Sequence, residues 1–191
     1  PVMLYAPHID FDAGSHAGLA QILAEDLDDD WAKITVEHDP PDGGFANDIL
    51  MRYFIGEMGG MPGLTNALPV SLVSMAARSM PIQLTGGSSA LRATGQHGFR
   101  MIGAAARLAL IEEAASRLGV PSAELTTADS LVTHAKSGKT LRYGALAEAA
   151  AKRSLASEPK LKARKDYKSV GHPVKRFDIP AEVDGSAQYG I

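Results

Sequence analysis

Cysteine is absent from this chain of 191 residues. Disulfide bonds, thiolate catalysis, and zinc sites or iron–sulfur clusters held by cysteine are therefore excluded within it. A redox enzyme built with this chain must carry its electron-transfer groups on another chain. The absence of cysteine does not fix the cellular compartment.

Long apolar runs and an excess of basic charge are also missing. No segment approaches the roughly eighteen uninterrupted apolar residues of a transmembrane helix, so no membrane span is predicted. The formal net charge is −3, which gives no reason to expect a nucleic-acid partner. An apolar fraction of 45% is ordinary and predicts a folded domain.

The N-terminal part of the chain predicts a β-α-β unit. Val2-Met3-Leu4-Tyr5 is typical of a short buried strand, and Ile34-Thr35-Val36-Glu37-His38 is typical of a second strand. Between them, apolar residues recur at helical spacing up to Leu27, and Ser15 is well placed as an N-cap. Asp28-Asp29-Asp30 would lie unfavourably at the negative end of this helix, which indicates that the helix stops before them.

The middle of the chain predicts an irregular excursion followed by one long helix. Residues 45–82 are rich in Met, Gly and Pro and favour a partly helical segment that packs on something else. From Ser89 to Leu118 the apolar residues keep helical spacing, and Gly119 with Pro121 marks the end. Such a helix is about 45 Å long. Its length and its small residues predict burial against a second chain or a later domain.

A β-hairpin is predicted next along the chain. Leu131-Val132-Thr133-His134 and Thr140-Leu141-Arg142-Tyr143 flank the turn Lys136-Ser137-Gly138-Lys139. A short helix, Ala145 to Lys152, follows Gly144.

These elements together predict an α+β fold in two parts. Residues 1–156 form the folded segment, with the irregular excursion at about 39–82. Residues 157–191 are polar, basic and interrupted by proline, which predicts an extended strap or linker leading toward a following domain or partner.

The first candidate site is Thr85-Gly86-Gly87-Ser88-Ser89, directly before the long helix. Glycines allow a ligand to approach the backbone closely, and free N–H groups at a helix start favour an anion. The serine hydroxyls add donors, and Arg92 adds positive charge. The alternative is an ordinary helix start after a glycine turn, because short glycine motifs often occur by accident.

The second candidate site is the loop Asp10-Phe11-Asp12-Ala13-Gly14-Ser15-His16, which joins the first strand to its helix. Ligands tend to bind at such loops in α/β units. His8 and His16 suggest a metal site, but no ligand spacing supports one. We therefore expect these histidines to lie at the surface or to be hydrogen-bonded.

Several stretches, taken in order, resemble one known family. They are Asp10–Gly14, Leu19–Leu27, Val36–His38, Thr85–Ser88, Thr94–Gln96, Ser137–Lys139, Tyr143–Gly144, Gly171–Arg176 and Val183–Ala187. In this order they are similar to the front of molybdopterin-binding large subunits of the xanthine dehydrogenase and aldehyde oxidase family, the isoquinoline 1-oxidoreductase beta-subunit type in particular. The fold is then expected to be part of the molybdenum-cofactor-binding domain of such enzymes.

The resemblance implies a molybdopterin cofactor with molybdenum, often in its cytosine dinucleotide form. The pyrophosphate of that form explains a glycine-rich, hydroxyl-bearing helix start. The cofactor would hydroxylate aldehydes or N-heteroaromatics with water as the oxygen source, and the protein would position it. No residue of this chain is expected to ligate the metal, and no catalytic residue is assigned. The residues expected to bind the cofactor are Ala13, Gly14, Thr85, Gly86, Gly87, Ser88, Ser89, Arg92, Thr94 and Gln96.

The resemblance also implies partners. The chain corresponds to the front of a polypeptide several times longer, so the rest of the large subunit or a second large chain is expected. An iron–sulfur subunit would accept the electrons, and the chain by itself is expected to be inactive. The family resemblance favours a bacterial periplasm over the cytoplasm.

Two departures from the family pattern leave alternatives open. The family has Gly-Gln-Gly where this chain has Asp12-Ala13-Gly14, so the glutamine amide is missing. A Gly-x-Gly-Glu segment with the catalytic glutamate is also missing. These departures favour a non-catalytic assembly or binding module that kept the fold. A third interpretation is an unrelated nucleotide- or phosphate-binding domain that uses only the Gly86-Gly87 helix start.

Overall fold

The computed structural model of the chain describes residues 2–8, 10, 13–38, 46–53, 55–56, 59–79 and 91–188. The chain divides into two compact units. Unit 1 comprises Pro1–Val2, Gln21–Ile34 and Gly98–His172, and unit 2 comprises Met3–Ala20, Thr35–His97 and Pro173–Ile191.

Two short strands form a small sheet. Strand β1 (Val2–Ala6) is hydrogen-bonded to strand β2 (Ile34–His38), and both lie where the sequence predicts strands. Along β1 the burial alternates, with Leu4 at 6% exposure and Met3 at 50%. The expectation of a buried strand is therefore correct for one face only, because successive side chains of a strand point to opposite faces.

Helix α1 (Ser15–Leu27) confirms the predicted helix between these strands. It stops at Leu27, and Asp28 has a left-handed φ of 61°, as the acidic triplet indicated. The predicted N-cap is wrong. Ser15 is the first helical residue, and its buried Oγ has no hydrogen-bond partner. The carboxylate of Asp10 caps the helix instead, because it accepts hydrogen bonds from the N–H groups of Ser15 and His16, each at 3.0 Å.

The described residues of the excursion after β2 include three short helices, α2 (Asp48–Tyr53), α3 (Pro62–Ala67) and α4 (Val70–Ser79). The Ser74 hydroxyl on α4 donates to the Asp48 carboxylate on α2 at 2.6 Å. The prediction of a partly helical segment is confirmed for the residues that the structure describes.

The long helix is present from Leu91 onward. A π-helical segment, Leu91–Phe99, leads into helix α5 (Arg100–Leu118), which ends at Gly119 with a left-handed φ of 66°. The predicted start, Ser89, lies outside the described residues. A Cβ atom at Gly103 would lie 2.6 Å from the carbonyl oxygen of Leu23, so the glycine lets α5 contact the backbone of α1 within unit 1.

An antiparallel sheet completes unit 1, with strands in the order β3 (Leu125–Ala128), β4 (Leu131–His134) and β5 (Lys139–Arg142). The predicted hairpin β4–β5 is confirmed. Strand β3 was not predicted. It joins β4 through Asp129 and Ser130, whose φ values of 48° and 65° define a tight two-residue turn.

The C-terminal part contains two helices. Helix α6 (Tyr143–Ala150) begins two residues before the predicted Ala145. Most of the described residues that follow form neither helix nor strand. The sequence did not predict helix α7 (Ile179–Asp184), in which Pro180 occupies the first turn, where proline is tolerated.

None of the helices in the described part of the chain is long and apolar enough to cross a membrane.

Candidate functional site

A buried cluster of polar side chains in unit 2 holds Thr94, one of the predicted cofactor-binding residues. His8 is completely buried, Thr94 is 5% exposed and Asn47 is 8% exposed. The Asn47 amide nitrogen donates to Thr94 Oγ1 at 2.9 Å and lies 3.3 Å from His8 Nε2. His8 Nε2 and Thr94 Oγ1 are hydrogen-bonded at 2.9 Å.

This hydroxyl–imidazole pair resembles an activated nucleophile, but both side chains are buried, which favours a structural role. Buried polar groups are costly unless their hydrogen bonds are made, and in this cluster they are made within the protein. The Thr94 hydroxyl therefore fixes the π-helical segment to His8, directly after β1.

The loop between β1 and α1 is fixed to the same cluster. His16 Nε2 donates to the backbone carbonyl oxygen of His8 at 2.6 Å. The N–H group of Ala13 donates to the carbonyl of Asp10 at 3.0 Å, and Gly14 has a left-handed φ of 71°. The exposed side chain of Ala13 thus lies at the tip of a turn that Asp10 and His16 anchor.

Arg176 supports this loop from the C-terminal segment. Its side-chain carbons would lie 3.5 Å from a Cβ atom at Gly14. Its guanidinium donates to Asp178 from Nε at 2.9 Å and from Nη2, and it also pairs with Glu182. The hydrogen bonds between Arg176 and Asp178 raise the pKa of Arg176 and lower the pKa of Asp178. The negative charge of Asp10 also raises the pKa of Arg176.

Two further predicted residues are exposed on the π-helical segment. Arg92 donates a hydrogen bond to the Tyr53 hydroxyl and lies 5.4 Å from the centre of the Tyr53 ring. Gln96 is exposed, one turn along the helix. π-Helical turns are rare and frequently occur at functional sites, so the position of these two polar side chains is consistent with ligand binding.

The structure thus links two of the predicted site segments. The loop with Ala13 and Gly14 is joined to Thr94 through His8 and His16 within unit 2. The predicted residues Thr85, Gly86, Gly87, Ser88 and Ser89 lie outside the described residues, as does Asp12.

The histidines of the loop are hydrogen-bonded, as expected. Within the described ranges, no group of three or more His, Asp or Glu side chains could hold a metal ion. The side chains of Arg92 and Gln96 are exposed at the surface of the π-helical segment.

Sequence reasoning missed two members of the site. Asn47 lies in the excursion, where broken periodicity gave no signal, although an Asn before Asp48 is typical of a helix start. Asp10 belongs to the predicted loop, but the sequence does not indicate that it caps α1, because it lies five residues before Ser15. Only the folded loop brings its carboxylate to the helix.

The chain is similar to oxidoreductases along nearly its whole length. It is 27% identical over 187 residues to membrane-bound aldehyde dehydrogenase [pyrroloquinoline-quinone] of Gluconacetobacter polyoxogenes, with 93% of this chain covered. It is 24% identical over 225 residues to the beta subunit of isoquinoline 1-oxidoreductase from Brevundimonas diminuta, with 100% covered. It is 28% identical over 190 residues to the B subunit of nicotinate dehydrogenase from Pseudomonas putida, with 98% covered.

The chain spans only 19%, 25% and 13%, respectively, of the lengths of these three relatives. No protein-family model matches it. The similarities support the family resemblance that the sequence motifs indicated, and they do not favour the isoquinoline type over the other relatives.

Proposed function

We propose that this chain is the cofactor-binding part of a molybdenum hydroxylase that oxidises aldehydes or N-heteroaromatic compounds, with water as the oxygen source. The observation that carries the proposal is the similarity of almost the whole chain to three oxidoreductases. Their names identify an aldehyde, isoquinoline and nicotinate as substrates, and the last two contain a ring nitrogen. The remainder of the large subunit, or a second large chain, completes the site.

The geometry of unit 2 is consistent with this role. The residues proposed to hold the cofactor are the turn Ala13–Gly14 and the exposed side chains of Arg92 and Gln96, together with residues 85–89 of the sequence. Thr94 contributes by fixing the helix on which Arg92 and Gln96 lie. When bound, the molybdenum–pterin group supplies the hydroxylation chemistry, and this chain binds and orients it.

Backbone N–H groups at the start of α1 already donate hydrogen bonds within the protein, which limits where a phosphate could bind. Asp10 accepts hydrogen bonds from the N–H groups of Ser15 and His16, so its negative charge occupies the position that an anion would take. We therefore propose the glycine-rich stretch before Leu91 as the site for a cofactor pyrophosphate. An ordinary nucleotide would compete for the same stretch.

A second candidate function is a non-catalytic binding or assembly module. Ala13 favours it, because a methyl group cannot make the hydrogen bond that the family glutamine provides. In this case the protein keeps its loops, but the assembled complex has no hydroxylase activity.

Cofactor extraction from the natural full-length protein or complex tests the proposal. Molybdenum is measured by mass spectrometry and pterin by fluorescence after oxidation. We expect both, and a lower molybdenum content in Arg92→Met than in Arg78→Met, a matched change at an exposed arginine on α4. Pyrroloquinoline quinone, an ordinary nucleotide or an empty protein in place of molybdenum and pterin would contradict the proposal.

A further inference from the structure

Residues 157–170 of unit 1, here called the latch, are attached mainly by hydrogen bonds and ion pairs, together with a cation–π contact between Arg100 and the Tyr167 ring. The latch contains no strand and only one helical turn, Arg164–Asp166. Most of its side chains are exposed, and Leu161 is 38% exposed. Apolar burial therefore contributes little to holding it in place.

The central contact of the latch is the carboxylate of Glu25 on α1, which is only 3% exposed. It accepts hydrogen bonds from three consecutive backbone N–H groups, those of Lys168 at 2.9 Å, Ser169 at 2.7 Å and Val170 at 3.0 Å. It also accepts from the Ser169 hydroxyl at 2.9 Å. Consecutive N–H groups that converge in this way form an anion-binding nest, and Glu25 fills it.

A second set of contacts holds the latch around Lys162. The Lys162 N–H donates to Asp26 at 2.7 Å, and its ammonium pairs with Glu25 at 3.2 Å and Asp28 at 2.6 Å. Arg100 on α5 donates to the Lys162 carbonyl at 2.7 Å. All of these contacts are charge-assisted, and those to Lys162 N–H and Nζ depend on ionised carboxylates at the end of α1.

A cavity lies beside the latch. The latch residues Ser157, Glu158 and Lys160 border this cavity, which has a volume of about 310 Å³. The wall formed by α5 and β3 is partly polar, because Arg107, Thr126 and Thr127 also line the cavity. The apolar residues of that wall are Ala104, Leu108, Ile111 and Leu125.

We propose that the latch opens as a unit, separately from the rest of unit 1, and that Glu25 is the residue that keeps it closed over the groove between α5 and β3. Segments with few buried apolar contacts open at a lower free energy than core helices and strands. Opening exposes more of this groove to solvent. This inference is independent of the proposed function.

Hydrogen exchange of backbone amides, followed by mass spectrometry on the full chain, tests the proposal. In Glu25→Gln the amides of residues 160–170 should exchange about tenfold faster or more, because loss of charge-assisted hydrogen bonds costs at least that factor in equilibrium constant. The amides of α5 and the sheet β3–β5 should not change. Glu124→Gln is the matched control, since Glu124 is also an ion-paired carboxylate but lies outside the latch contacts.

Two results would overturn the proposal. One is unchanged exchange of residues 160–170 in Glu25→Gln. The other is an equal rise throughout α5 and the sheet, since the latch would then belong to the cooperative core. If Glu25→Gln does not fold, Ser169→Ala decides the question. It removes one hydrogen bond to Glu25 and should accelerate exchange in the latch alone, and unchanged exchange would refute the latch.

Discussion

The side chain at position 13 determines what the loop between β1 and α1 can offer to a bound group. Ala13 is exposed at the tip of an anchored turn, so a longer side chain can be placed there without disturbing the core. The residue it replaces in the family pattern is a glutamine. Its amide would add a hydrogen bond that the present loop cannot make.

The first prediction concerns this position. In the assembled enzyme, the double substitution Asp12→Gly with Ala13→Gln should raise turnover, because a hydrogen bond to a charged group contributes about 1.5–3 kcal/mol when buried. Turnover at saturating substrate is the measurement. Asp12→Gly with Ala13→Leu is the control, since leucine is of similar size but lacks the amide. Equal or lower activity in the glutamine variant would show that the loop does not face the reacting group.

Individual side-chain roles were less predictable from the sequence than their positions. The sequence placed Ser15 at the start of α1, but the cap is Asp10, because capping depends on how the preceding loop folds. Likewise, Thr94 was identified from a motif, whereas its hydroxyl is hydrogen-bonded to His8 and Asn47. Asn47 is far from both in the sequence, so no local pattern could have revealed the cluster.

At the scale of elements, the contact of α5 with α1 depends on Gly103. The second prediction is that Gly103→Ala destabilises the protein by about 1–3 kcal/mol, because overpacking a close contact carries a cost of this size. The new methyl group would lie 2.6 Å from a backbone oxygen of α1, which cannot move alone. Urea unfolding measures the effect.

Gly144→Ala is the control for this experiment. It lies in α6, and a Cβ atom there meets no atom within 4 Å, so alanine should be neutral or stabilising. Equal effects of the two substitutions would show that the α1–α5 contact is looser than described.

The third prediction concerns the pH dependence of the Glu25 contact. Burial raises the pKa of Glu25, but the N–H groups of Ser169, Val170 and Lys168 outweigh it and lower the pKa from 4.5 to about 2. A carboxylate with a lowered pKa stabilises the folded state fully above its unfolded pKa, and this stabilisation is lost as the pH falls through the folded pKa. The charged groups around this contact are Asp26, Asp28, Arg100, Arg107, Lys162 and Lys168.

The stability difference between wild type and Glu25→Gln should therefore be constant above about pH 5 and shrink steadily toward pH 2. Its size at neutral pH should be on the order of 1–3 kcal/mol. Urea unfolding at a series of pH values measures it, and Glu124→Gln again serves as the control. A difference that persists unchanged at pH 2 would mean that ionisation of Glu25 is not the source of the stabilisation.

Elements with strong periodicity or clear end signals were predictable, and those defined by their neighbours were not. Helix α1, the long helix through Gly119 and the hairpin β4–β5 follow from apolar spacing and turn residues. Strand β3 is only four residues long and is defined by pairing with β4, so its sequence alone carried little signal. Helix α7 is short and begins beside Pro180, which had suggested an extended segment.

At the scale of the whole molecule, several large apolar side chains are exposed to solvent. On α3 and α4 of unit 2, Leu64 is 47% exposed, Leu72 43% and Met75 63%. On α5 of unit 1, Ile102 is 54% exposed. The chain spans a quarter or less of each of the three relatives. Apolar surface of this kind marks interaction sites or aggregation-prone regions.

The fourth prediction follows for the chain purified alone. It should be poorly soluble or associate with itself, and it should not oxidise aldehydes or N-heterocycles with an artificial electron acceptor. Light scattering and a dye-reduction assay measure these two properties. A stable monomer with substantial turnover would show that the chain is a complete catalytic unit.

The proposed function depends on the glycine-rich stretch before the long helix retaining a molybdenum cofactor. The test is the molybdenum content per folded protein, measured in the natural full-length protein with Gly87→Val and with Gly63→Val as the control. A Cβ atom at Gly63 meets no atom within 4 Å, so its substitution should leave the cofactor in place. Molybdenum and pterin are expected in wild type and Gly63→Val, with a large loss of both in Gly87→Val at unchanged circular dichroism. Equal molybdenum in the two folded variants, or none in wild type, would contradict the claim.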